Sequence, residues 1–423
     1  MKKSILSSSI ALAIISLTAC IGNVKNISME DLPPEHRWNE GEIRILKSLS
    51  LYNISNKQDI SNRVVNNSDA IALGKALFFD KRFSANGNIA CASCHKPELY
   101  FTDGLAQARG ISQTKRNTPT IVGASQNTWF FLDGRTDSLW AQAMEPLENA
   151  LEHGSSRNQF AHEIYNNKEL RIDYEKVYGP MPNISDTTRF PYHAGPIKKD
   201  RTANRAWRTM NKKDQKIITD IFVNGAKTIA AYETTLQPKP SRFDNYVEAL
   251  AKKDSDTMIS KLSIQEAAGL KVFLGEGKCM ICHNGPMFSD SEFHNIGTPP
   301  LNVKKYDFGR SKGVSRVKKN PFNCLSDYND DEAKTCDELK YIVTHDEETR
   351  GAFKTPSLRN VSKTAPYMHG GQYKKLSEVL QHYNKPPSTK IGMSDLLDID
   401  LSKKELMQLE KFLLSLNSDI SYQ

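Results

Sequence analysis

The chain has 423 residues, 38% of them hydrophobic and 25% charged, which is enough apolar material for a buried core and excludes a disordered chain. The 57 lysines and arginines exceed the 49 aspartates and glutamates by a net +8, which is mild at this length and does not point to nucleic acid. The length accommodates two domains.

The first 20 residues, MKKSILSSSIALAIISLTAC, have a basic tip, a short apolar stretch and small residues at the end. This is the pattern of a secretion signal, too short and too weakly flanked to span a membrane. It closes on Leu17-Thr18-Ala19-Cys20, which resembles the lipobox of bacterial lipoproteins, where the cysteine is acylated and becomes the new N-terminus. Residues 1–19 are therefore expected to be a signal peptide and Cys20 the lipidation site. An ordinary signal with a chance cysteine is the alternative. The mature chain is expected in the periplasm, tethered to a bacterial membrane by lipid. No other apolar run approaches the length of a span.

Residues 20–60 read as a polar N-terminal extension with the turn-rich DLPPEHRWNEGEI. From Ser68, SDAIALGKALFFDKRFSANG begins as a helix and ends in a glycine-bearing loop that delivers Cys91-Ala92-Ser93-Cys94-His95. Two thiols at this spacing reach both vinyl groups of one porphyrin, and the adjoining histidine meets the iron. A helix from about Asp137 is expected to stop before Pro146. The basic stretch at 197–216 reads as a solvated face or loop. A long helical pattern follows from Ile217 to Leu236 and is broken by QPKPSRFD. Then SIQEAAGLKVFLGEGKCMICH repeats the first plan, with Ser263 and Glu266 as a capping box and Cys279, Cys282 and His283 at its end. Ser402 and Glu405 cap a last helix with Leu406, Leu409, Leu413 and Leu416 on one stripe. No run of alternating strands is present.

Two such motifs in one exported chain imply two covalently bound haem c groups, with His95 and His283 as iron ligands and redox chemistry as the function. Two zinc sites are the alternative. Cys324 and Cys336 remain, and in an oxidising compartment they are expected to form a disulfide. Closing so short a loop stabilises by about 3 kcal/mol. A redox-active pair is the other reading.

LGKALFFDKRFSANGNIACASCH, RNTPT, DGRTDSLWAQAMEPLENALEHG, GLKVFLGEGKCMICHNGPMFSD and GAFKTPSLRNVSKTAPYMHGGQ give the chain a close resemblance to the bacterial dihaem cytochrome c peroxidase family, and within it to the MauG-like branch. The resemblance covers nearly all of the mature sequence. It implies a mainly α fold of two tandem cytochrome c-like haem domains with long loops, and a calcium ion between them. The first, peroxidatic domain is expected at 61–255 and the second, electron-transfer domain at 256–423.

Many family peroxidases place a distal histidine in the loop after the first motif. Here no histidine lies between His95 and His153, and no methionine before Met144, so the first iron is expected to be open. By resemblance Glu152 is the acid-base carboxylate, Gln142 the distal glutamine and Pro146 a proline near the iron. His153 is a rival as an iron ligand. In KKLSEVLQHYN, Leu376, Val379, Leu380 and Tyr383 share one helical face. Family peroxidases carry a methionine ligand there, whereas the MauG-like branch has tyrosine, so Tyr383 is the expected ligand of the second haem. Met368 and His382 are its rivals. Asn117, Thr364 and Pro366 match the family's calcium site. One departure stands out: the family's tryptophan before DGR is Leu132, which cannot relay electrons, leaving Trp129 or Trp140 as substitutes.

The expected function is reduction of hydrogen peroxide to water with electrons from a small redox protein, a cytochrome c or cupredoxin. A MauG-like enzyme that oxidises residues of a partner protein is the second reading, and a non-catalytic electron carrier the third.

Overall fold

A computed structural model describes residues 28–422, apart from 56, 303–304 and 345. The leader and Cys20 lie outside the described residues. The helices that build the sites are α1 (Glu40–Leu49), α2 (Ser68–Phe79), α3 (Leu139–Glu148), α4 (Lys212–Thr234), α5 (Arg242–Ala251), α6 (Ile264–Leu274), α7 (Leu376–Asn384) and α8 (Lys403–Ser415). Short polar side chains start most of them. Asn67 accepts the Ala70 amide at α2, and Ser263 with Glu266 and Ser402 with Glu405 form the expected reciprocal caps at α6 and α8. The strands are only two or three residues long. Leu236–Pro238 pairs antiparallel with Ile420–Tyr422, and Phe293–His294 with Phe353–Lys354. The fold is mainly α, as expected.

Two helix crossings repeat. In α2, a Cβ on Gly74 would lie 1.8 Å from the Thr228 carbonyl oxygen of α4. In α6, a Cβ on Gly269 would lie 2.0 Å from the Gln408 carbonyl oxygen of α8. Only glycine lets each pair of backbones meet this closely. One core gathers around the first crossing, with Leu73, Phe78, Phe101, Trp140 and Phe222. The other gathers around the second, with Phe243, Phe273, Phe288, Leu409 and Phe412.

The second core takes in more than the sequence reading assigned to it. Leu46 and Leu49 of α1 and Phe243, Tyr246 and Leu250 of α5 are buried there. The extension is thus partly helical and packed, and the chain changes core after the proline-rich 238–240. Arg359 fastens these pieces together. It forms a two-pronged pair with Asp244 at 2.6 and 2.9 Å and also donates to the Leu49 and Pro286 carbonyls.

Pro146 does not stop its helix. It lies inside α3, which runs on to Glu148. Proline there removes one amide near the helix end, while buried Ala143, Met144 and Leu147 keep the last turn on the core. The basic stretch is largely exposed, as expected, but forms the helix Arg201–Thr209 and the start of α4.

The repeat extends beyond the motifs. Residues 117–146 map onto 354–383 without a gap. The antiparallel bridge Phe130–Thr136 recurs as Tyr367–Tyr373. Left-handed Phe131 and Gly134 recur as Met368 and Gly371. The 3-10 turn Ala124–Gln126 recurs as Val361–Lys363, and α3 recurs as α7. In this register Asn117 corresponds to Lys354, Asn127 to Thr364, and Pro146 to Tyr383.

Candidate haem sites and active site

Each motif is a tight turn with the histidine at its exit. The His95 amide donates to the Cys91 carbonyl, and the His283 amide to the Cys279 carbonyl, both at 2.9 Å. His95 Nδ1 lies 3.0 Å from the Phe101 carbonyl oxygen, and His283 Nδ1 2.9 Å from that of Phe288. A carbonyl only accepts, so Nδ1 carries the proton in both rings and Nε2 keeps a lone pair for a metal. Burial lowers both imidazole pKa values, which holds the rings neutral. Among the described residues, the one set of three His, Cys, Asp or Glu ligand atoms within 4.8 Å of one another is Cys282, Asp290 and His294. The thiols and histidine of the first motif do not converge in this way.

Glu152 occupies the turn after α3. Its amide donates to the Asn149 carbonyl and its carbonyl accepts from Ile111, both at 2.9 Å. The loop that follows the first motif is laid directly on this turn, since a Cβ on Gly110 would come within 2.5 Å of Glu152 Cα. Pro146 joins in, its carbonyl accepting the His153 amide at 3.1 Å. Burial raises the Glu152 carboxyl pKa, against the pull of Arg135 and with a push from Glu145. A charge on Glu152 acts on both Cys91 and Cys94, so the carboxyl belongs to the first motif's surroundings. Gln142 is half-buried one turn before Pro146 on α3. His153 is buried, its Nδ1 has no partner, and burial pushes its pKa down to about 4. It is a neutral imidazole with a free nitrogen beside the first site.

The second motif opens on a cavity of about 650 Å³, within the roughly 300–1,000 Å³ of pockets that enclose small ligands and cofactors. Cys279, Cys282 and His283 line it, together with Met368, Leu380 and Tyr383. Tyr383 makes no hydrogen bond among the described residues. Burial raises its phenol pKa, and the neighbouring Cys279 and Cys282 raise it further. His382 faces elsewhere. Its Nδ1 meets Tyr373 Oη at 3.0 Å and its Nε2 the Ile296 carbonyl oxygen at 2.7 Å, so neither nitrogen is free. Asn117, Thr364 and Pro366 line the same cavity. The Asn117 amide nitrogen donates to the Leu105 carbonyl at 2.7 Å, which leaves Oδ1 as an oxygen suited to a hard cation.

Leu132 also lines this cavity, and its carbonyl accepts the Lys354 amide at 2.9 Å. Neither proposed substitute joins it there. Trp129 lies 4.3 Å from the Arg310 guanidinium, and Trp140 sits in the first core with Nε1 on Ser61 Oγ at 3.0 Å. Cys324 and Cys336 are joined by a disulfide. The Cys324 amide ties this loop to Asp137 at 2.8 Å.

Sequence reasoning missed two groups. Glu233, near the end of α4, is enclosed with Oε2 unpartnered, and burial raises its pKa to about 8. Its charge reaches Cys91. The second is a chain of alternating charges. Arg116 pairs with Asp307 and Asp133, Arg135 with Asp133 and Glu145, and Arg316 with Glu145. The DGR motif was its visible part.

The profile of the di-haem cytochrome c peroxidase family matches residues 68–252. A cytochrome-c peroxidase, IdrP1 of Denitromonas iodatirespirans, is 30% identical over 365 residues, 82% of this chain and 81% of the relative. The methylamine utilization protein MauG of Methylorubrum extorquens is 28% identical over 354 residues, 83% of this chain and 79% of the relative. Among solved structures, a MauG-like protein associated with microbial copper homeostasis shares the fold with a TM-score of 0.58 at 22% identity, covering 90% of this chain and 96% of that one. The chain belongs to the di-haem cytochrome c peroxidase family and is a peroxidase that carries two haem groups.

Proposed function

We propose that the chain reduces hydrogen peroxide to two waters, taking two electrons from a small redox protein and two protons from solvent. The haems are held as thioethers by Cys91 and Cys94 and by Cys279 and Cys282, with His95 and His283 as iron ligands. When bound, they would supply the redox chemistry, the first taking peroxide and the second, with Tyr383 as the residue that would hold its iron, receiving electrons. Glu152 moves the proton. Its raised pKa brings it nearer neutrality, where one carboxyl can take a proton from one peroxide oxygen and return it to the other. Gln142 orients the peroxide and Pro146 limits its space. The observation that carries this reading is the half-buried Glu152 carboxyl, in electrostatic reach of both first-motif cysteines, on a turn whose backbone is pinned by Asn149 and Ile111.

Replacing Glu152 by Gln keeps shape and removes the proton carrier. Peroxide-dependent oxidation of a reduced cytochrome c is expected to fall by about 10²–10⁴-fold with haem content unchanged. An unchanged rate would remove Glu152 from the mechanism.

A calcium ion would be held by Asn117 and the Thr364 and Pro366 carbonyls, residues that line one cavity. Both haem domains face the periplasm, with Cys20 as the lipid anchor. The sequence of the leader supports this, and among the described residues no helix is long and apolar enough to cross a membrane. The domains divide near residue 240, because α5 packs in the second core. A second reading, oxidation of side chains on a partner protein, is favoured by the unpartnered Tyr383 in the cavity. Fast turnover with reduced cytochrome c would separate the two.

A further inference from the structure

The repeat pairs two places at the seam between the halves. At one, Asn117 of the first half shares the cavity with Thr364 and Pro366 of the second. At its counterpart, Lys354 meets Asn127, the residue equivalent to Thr364. Lys354 Nζ donates to Asn127 Oδ1 at 2.9 Å. Lys57 Nζ approaches the Asn127 carbonyl and Thr128 Oγ1 at 3.4 and 3.3 Å. The first place offers oxygens to a cation, whereas the second brings its own ammonium.

That ammonium lacks a full set of partners. It has three protons to donate, and among the described residues Asn127 Oδ1 is its one acceptor. Among the described residues no carboxylate lies within ion-pair distance of it, and Asp290 is the negative group that acts on it through space. Burial pushes its pKa down to about 8. A half-buried charge without a counter-charge is costly. Lys354 lines the same cavity as Cys279, Cys282 and His283, so the group bound there is the neighbour that can complete it. The only anionic substituents of haem c are its two propionates.

We propose that Lys354 anchors a propionate of the haem held by Cys279 and Cys282, and that its fixed charge at the seam beside Leu132 raises that haem's reduction potential. The proposal rests on the reading that the second motif carries haem c. A positive charge near the porphyrin favours the reduced iron by Coulomb attraction. Lys354 then acts through the haem as a positioning residue for electron entry.

The test uses the full haem-loaded chain, with haem content measured first and the two haem midpoints resolved by spectroelectrochemical titration. A wild type holding a single haem on the first motif would overturn the underlying reading. With two haems present, Lys354→Met is expected to lower the midpoint of the second haem and leave the first nearly unchanged. Lys354→Arg is expected to restore it. Lys354→Gln, closer in length and still able to hydrogen-bond, carries the same expectation should Lys354→Met fail to load. An unmoved second midpoint in either loaded neutral variant, or a shift confined to the first haem, overturns the proposal.

Discussion

Glu233 ends an apolar helical stripe with a carboxyl that water does not reach. Its folded pKa of about 8 stands above the ordinary 4.5, so the folded chain holds one proton more than the unfolded chain between those values. That contribution is complete below about pH 4.5 and is lost as pH rises through about 8, a fall of several kcal/mol. Glu233→Gln should abolish this slope. Denaturant unfolding of the haem-loaded protein at pH 5 and pH 8 measures it, and a slope that persists in the variant would place the titration elsewhere. The motif cysteines and histidines were legible in the sequence because their spacing is itself the chemistry. Glu233 and Lys354 were not, since a single charged residue does not announce that tertiary packing will bury it. Tyr383 and His382 illustrate the same limit. Adjacent on one helix, they are distinguished by the Ile296 carbonyl and Tyr373 hydroxyl that occupy His382.

Among the elements, the two glycine crossings bear most of the geometry, because each fixes the helix that leads into a haem motif. Alanine would ordinarily favour a helix over glycine by about 1 kcal/mol. At Gly74 its methyl would fall inside the Thr228 carbonyl, whose backbone cannot swing aside. Gly74→Ala is therefore expected to destabilise by about 1–3 kcal/mol net. Denaturant midpoints measure this, and a stabilised variant would show that the crossing is looser. Capping boxes at α6 and α8 were readable as local signals. Pro146 was misread because the cost of a helix proline depends on its distance from the end and on the packing around it. The allegiance of α5 was hidden for a related reason: the QPKP break marks a turn without saying which core receives the next helix.

For the whole molecule, the repeat explains how one plan yields two different sites. The same local geometry puts Pro146 after the first motif and Tyr383 after the second. A proline side chain cannot ligate iron, whereas a phenol can, which supports the proposed asymmetry of an open first site and a closed second one. Glu152 stands beside the first motif. This asymmetry is the central claim, and low-temperature electron paramagnetic resonance of the fully ferric, haem-loaded chain tests it most directly. One high-spin and one low-spin haem signal are expected, with the high-spin signal altered in Glu152→Gln. Two low-spin signals would contradict the account and identify His153, with its free nitrogen, as the ligand that closes the first iron.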